Sequence, residues 1–184
     1  MTTQLVWYKR DLRVSDHAPL VHDSEAECCV CLYVYEPEII EAEDFDAARL
    51  NFINESLVEL RESLRQRGGE LLLRTGRMPD VLEQLHQEIG FDFIWAHEET
   101  FNQISYQRDR RVRAWAKSKQ VPLKEIPQYG VVRQLKNRDG WATMRSADAA
   151  ATTRRAKKTT TQRQNQITST GRNSDGESVS SSCF

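Results

Sequence analysis

The chain has 184 residues, 39% of them hydrophobic and 29% charged, with a formal net charge of -1. That length allows one domain with a real core, and the near-neutral balance gives no bulk attraction to nucleic acid or membrane surfaces. No run approaches the roughly 18 apolar residues of a membrane span, and the opening "MTTQ" lacks the charged-then-apolar order of a secretory signal.

The first apolar run, Leu5–Tyr8, reads as a short buried strand. It flips at once to Lys9, Arg10, Asp11, Arg13 and Asp16, ahead of a helix. The second strand, Val30–Tyr35, lies in "CCVCLYVY", which holds Cys28, Cys29 and Cys31. In an extended chain Cys29 and Cys31 share one face and Cys28 the other. No His or Cys group elsewhere has zinc spacing, so buried small hydrophobes are the preferred reading over metal or redox chemistry, and a reducing compartment fits. Leu50, Ile53, Leu57, Leu60 and Leu64 then recur at steps of three and four, a helix that Gly68-Gly69 stops. A third strand, Leu71–Arg74, leads to the helix "PDVLEQLHQEIG", with Pro79 in its first turn, Gly90 at its end and His86 on its surface. Strand Phe91–Ala96, a charged helix over about 105–118 with Val112 and Trp115, and strand Leu123–Ile126 complete the series. Short continuous apolar strands alternating with helices predict an α/β fold: a Rossmann-like, doubly wound, five-stranded parallel sheet in a single domain. From Ser146 onward the only large apolar residues are Ile167, Val179 and Phe184, so a disordered tail is expected. Its Arg154, Arg155, Lys157 and Lys158 read as solvated charge rather than as a targeting patch.

In an open parallel sheet, ligands bind beyond the carboxyl ends of the strands. Arg10, Asp11 and Arg13 follow the first strand, and Glu98-Glu99 follow the fourth, so neighbouring strands would set cations against carboxylates across a crevice. A salt-bridge network and a polar-ligand pocket both fit that pattern. No G-x-G-x-x-G follows the first strand and no phosphate-loop motif occurs. No G-x-S-x-G occurs, and His17, His22, His86 and His97 have no nucleophile at a recognisable spacing. Arg108, Arg110, Arg111, Arg113, Lys117 and Lys119 make the fifth helix basic, and a solvated helix face is preferred to a phosphate-binding one.

The stretch "LVWYKRDLRVSDHAPL" resembles the opening signature of the photolyase/cryptochrome family: an aromatic strand, clustered charges, then a small-residue helix. "LYVYEPEI", "RLNFINESLVELRESLRQRGGELLLRTG" and "IWAHEETFNQISYQRDRRVRAWAKSKQVPLKEIPQYGVVRQLKNRDGW" are similar to its later elements, in order, to about residue 145. The resemblance implies an antenna-chromophore domain over 2–132, the start of an interdomain connector over 133–145, and a low-complexity tail over 146–184 that a shift of reading frame would explain. It implies an FAD-binding catalytic domain in full-length members and a chain here that lacks it, so that this chain alone is inactive. DNA would be met only through that missing domain, and connector residues Val131, Val132, Leu135 and Trp141 would be left exposed. Folate-binding members carry an Asn-Glu pair where this chain has Ile104 and Ser105, so a deazaflavin- or flavin-type antenna is favoured over folate. By position, Arg10, Tyr33, Val34, Arg49 and Glu98 would line the antenna cleft, with Tyr33 stacking on a flat ring and Arg10 meeting an anionic group. Core packing of Tyr33 and Val34, and salt bridges of Arg10 and Glu98, fit equally. A family member without an antenna, a stand-alone nucleotide- or partner-binding module and a non-functional fragment are the other readings. A cytoplasmic, organellar or nuclear location is expected, with repair against signalling left open.

Overall fold

The computed structural model describes residues 2–23 and 27–128. The connector, the tail and the exposure of Val131, Val132, Leu135 and Trp141 all lie outside them. The elements run β1 (Thr3–Tyr8), α1 (Ala18–Asp23), β2 (Cys28–Tyr35), α2 (Pro37–Ile40), α3 (Ala47–Arg65), β3 (Leu71–Thr75), α4 (Met78–Ile89), β4 (Phe93–His97), α5 (Gln103–Ser118) and β5 (Leu123–Ile126). The five strands form one sheet in the order β3-β2-β1-β4-β5, and every pairing is parallel. This is the expected α/β architecture. After β1 the chain builds outward through β2 and β3, then crosses back to place β4 on the other side of β1. The strand order therefore reverses between β1 and β4, where their carboxyl ends open a crevice.

Alternation along β1 divides the core in two. Leu5 and Trp7, with Leu32, Val34, Ile94 and Ala96, face α4 and α5, whose Met78, Leu82, Leu85 and Val112 are buried against them. Val6 and Tyr8, with Cys31 and Tyr33, face α3, where Leu57, Leu60 and Leu64 close the layer. The helix ends follow local chemistry. Asp46 caps α3 by accepting the Arg49 amide at 2.8 Å, and Gly68, at φ 79°, ends it by letting the Gly69 amide return to the Leu64 carbonyl. Asn102 caps α5 by accepting the Ser105 amide at 3.0 Å.

Four local expectations are corrected. The fourth strand begins at Phe93, not Phe91, because β1 pairs with it from Gln4↔Phe93 onward; Phe91 instead packs on His86 and Trp115. His86 is therefore half-buried between aromatic rings rather than a plain surface residue. Cys29 is exposed, since it sits at the fringe of β2 before α3 covers that face. On α5 the solvated-face reading fails for Arg108, which is buried together with Asp109.

Candidate functional site

The loop after β1 turns sharply. Asp16 sits at φ 50°, the left-handed region that Asp tolerates, and its carbonyl accepts from Arg13 at 3.2 Å. The turn returns His17 to the strand end, where its Nε2 lies 2.7 Å from Asp11 Oδ2. His97, the last residue of β4, brings Nδ1 to the same oxygen at 2.5 Å, and the Lys9 amide donates to Asp11 Oδ1 at 3.0 Å. Asp11, His17 and His97 place ligand atoms within 4.8 Å of one another, as a metal site would. The tautomer argues otherwise. The Leu20 amide donates to His17 Nδ1 at 3.2 Å, so the neutral ring carries its proton on Nε2, which then donates to Asp11 instead of ligating a cation. Burial holds the His17 imidazole below its ordinary pKa, although Asp11 pulls the other way. Burial alone would raise the Asp11 carboxyl, but the hydrogen bonds from the two rings hold it far below its usual range. The trio ties the β1 loop to the end of β4.

Arg108 ties down the other wall. It projects from α5 beneath the crevice, donating from Nη1 to Glu36 at 2.9 Å, from Nη2 to Glu99 at 2.5 Å and from Nη2 to Asp109 at 2.9 Å. Its guanidinium carbon lies 4.9 Å from the Trp7 ring centre. Burial opposes the charge, but Glu36, Glu99 and Asp109 together hold the guanidinium more firmly protonated than a free one. Lys9 bridges Asp109 at 3.2 Å and Glu125 at 3.0 Å, so the network joins the segments that follow β1, β2 and β4 to α5 and β5.

Between these braces and α3 lies a cavity of about 440 Å³, walled by Tyr8, Tyr33, Tyr35, Phe45, Phe52 and Phe101 among others. Arg10 and Arg49 stand at its rim: the Arg10 guanidinium is 3.9 Å from the Phe101 ring centre, and that of Arg49 is 5.2 Å away. Burial pushes the Tyr33 phenol well above its usual pKa, with Tyr35 and Glu36 adding to the effect, so the ring is neutral at physiological pH. A second, polar cavity of about 290 Å³ adjoins the first and shares Lys9, Arg10 and Glu99 with it. Of the residues singled out from sequence, Arg10, Tyr33, Val34 and Arg49 meet around the larger cavity. Glu98 does not; it lines the polar one with His97 and Thr100. Arg10 does approach a carboxylate across the crevice, Glu99 at 4.0 Å. Sequence reasoning missed Glu36, Arg108 and the His17–Asp11–His97 tie. A signal for Arg108 was available: Ser105, Arg108, Asp109, Val112 and Ala116 form the buried stripe of α5 at helical spacing.

The model for the family described as DNA photolyase matches residues 4–134. The chain belongs to the DNA photolyase family. The resemblance in the first strand and its charged loop is thereby borne out. Among relatives, a cryptochrome DASH of Gloeobacter violaceus is 36% identical over 114 residues, covering 58% of this chain and 23% of that protein. The crystal structure of a Synechocystis cryptochrome superposes with a TM-score of 0.62 at 27% identity, covering 68% of this chain and 27% of that one. An archaeal photolyase from Sulfolobus tokodaii, solved with two FAD molecules, gives 0.65 at 20% identity over 79% of this chain and 35% of that one, a likeness of fold. The chain thus spans about a quarter of the length of the DASH relative. Among the described residues, no helix is long and apolar enough to cross a membrane.

Proposed function

We propose that this domain is the antenna part of a blue-light-driven pyrimidine-dimer repair enzyme or photoreceptor, and that the larger cavity holds a planar light-absorbing cofactor of deazaflavin or flavin type. The observation that carries this reading is the aromatic cavity of about 440 Å³ at the strand-order reversal, with Arg10 and Arg49 at its rim. Its size suits a tricyclic ring, Tyr33 and Phe101 offer flat apolar surfaces, and the two guanidiniums suit an anionic tail. When bound, such a cofactor absorbs near-ultraviolet or blue light and passes the excitation on. The residues of this chain bind and orient it and exclude water. Folate is disfavoured because the Ser105 hydroxyl is committed to the Asn102 carbonyl at 2.9 Å, and Ile104 has no polar group to offer. For the Sulfolobus tokodaii photolyase, the structure with two FAD molecules implied a novel light-harvesting cofactor in that protein, which is in keeping with the proposal. Domain limits of 2–132 belong to the same reading, with FAD and DNA handled by sequence outside this domain.

The test is to mix the purified chain with FMN, with an 8-hydroxy-5-deazaflavin and with a reduced folate, and to follow absorbance from the near ultraviolet to the blue. One of the first two is expected to bind with a shifted band, and Tyr33→Ala is expected to weaken it about tenfold. Binding of folate alone, or of ATP without any chromophore, overturns the reading.

A further inference from the structure

Glu36 is placed oddly for an acidic residue. It follows β2 directly and occupies the N-cap position of α2, yet its side chain makes no capping hydrogen bond. It turns inward instead, retains 7% exposure and lines the aromatic cavity. Only one of its oxygens is committed: Oε1 accepts from Arg108 Nη1 at 2.9 Å. Oε2 has no hydrogen-bond partner among the described residues and is not fully enclosed, so it keeps some accessible surface on a residue that lines the cavity. Arg108 occupies only that one oxygen: Glu36 is the acceptor for Nη1, while Glu99 takes Nη2 and Asp109 takes Nη2 and Nε. A carboxylate oxygen that a ligand covers without giving it a donor is costly to desolvate, and Tyr33, Tyr35, Ile39 and Phe101 line the same cavity as Glu36. Burial also pushes its carboxyl above the ordinary carboxylate value, against the pull of Arg108.

We infer that Glu36 is the specificity-determining acceptor of the cavity, selecting a planar heteroaromatic ligand that buries an N–H or O–H donor against Oε2. A ring of the same shape without that donor leaves Oε2 unpaired and dry. Sites built around a buried polar group reject the analogue that cannot satisfy it far more strongly than apolar pockets reject a missing methyl group. This inference rests on the cavity being a chromophore site, and the experiment separates the two.

Lumiflavin has a single N–H, on its imide ring, and 3-methyllumiflavin has none. Both are titrated against the full chain by fluorescence quenching. Wild type is expected to bind lumiflavin at least about tenfold more tightly than the methylated ring. Glu36→Leu removes the acceptor. Glu36→Gln keeps the volume, but its amide oxygen must face Arg108, which turns an NH₂ donor toward the cavity. In both variants the ratio is expected to fall below about twofold. Circular dichroism checks the fold, and Glu36→Gln, nearly isosteric, serves if the leucine variant does not fold. Equal binding of the two rings by wild type overturns the role of Glu36 while leaving the cavity's assignment standing. So does an undiminished ratio in a folded variant. If wild type binds neither ring nor any other planar chromophore, the assignment fails and this inference falls with it.

Discussion

The two faces of the sheet use the same strands to opposite ends. On the α4/α5 face, Met78, Leu82, Ile94 and Val112 are each at 0% exposure, and the layer is filled. On the α3 face, filling stops halfway along the helix. Leu57, Leu60 and Leu64 are buried, but Arg49, Leu50, Phe52 and Ile53, one to two turns earlier, line open space, and Phe52 is 68% exposed. A helix supported by three leucines at one end can hold its other end away from the sheet. The filled face supplies stability and the half-filled face supplies room, with the ionic network at their common edge keeping the room from collapsing.

That division can be broken most forcefully at its edge. Arg108→Met leaves Glu36, Glu99 and Asp109 without their shared cation, and a loss of about 3–5 kcal/mol in urea unfolding is expected. A loss below about 1 kcal/mol would mean that the carboxylates find water and that the network does not brace the cavity. Next in size is a paired test of the two faces. Leu82→Ala is expected to cost about 2–5 kcal/mol, whereas Phe52→Ala, at an exposed cavity wall, should cost less than about 1 kcal/mol while weakening chromophore binding. Comparable losses at the two sites would erase the contrast.

The smallest effect is on pH dependence. His17 is held neutral in the fold, below its ordinary 6.5. As pH falls below that value the unfolded chain takes up a proton that the folded chain refuses, so stability declines, by at most about 1.4 kcal/mol per pH unit. Asp11, held far below its ordinary 3.8, extends the decline into stronger acid. Glu36 acts with the opposite sign: its raised value favours the folded state below its ordinary 4.5, and that advantage is lost as pH rises through the folded value. His17→Asn retains a donor for Asp11 without a titrating ring, so melting curves from pH 7 to 5.5 should flatten relative to wild type. An unchanged slope would place the acid sensitivity elsewhere.

The strand–helix order and the doubly wound class were legible because each strand is a short apolar run and each helix carries a 3.6-residue stripe. The crevice charges were legible too, since Arg10 and Glu99 follow strands that the topology makes direct neighbours, β1 and β4. The cavity was not legible, because its volume depends on how far α3 stands from the sheet, which no local pattern encodes. Nor was the burial of Arg108. A cation on an apolar stripe reads as surface until Glu36 and Glu99, which follow β2 and β4, are known to converge on it. The third blind spot was the tie from His17 and His97 to Asp11, which joins residues 86 positions apart in sequence.

Trp7 lies at 1% exposure with the Lys9 ammonium 4.2 Å and the Arg108 guanidinium 4.9 Å from its ring centre, and it also borders the aromatic cavity. The fold has thus placed an indole fluorophore at the junction of the ionic network and the ligand space, where both can alter its emission. A flat absorber entering the cavity would accept energy from that indole at close range. Loss of tryptophan emission under ultraviolet excitation therefore offers an optical readout of occupancy that needs no label.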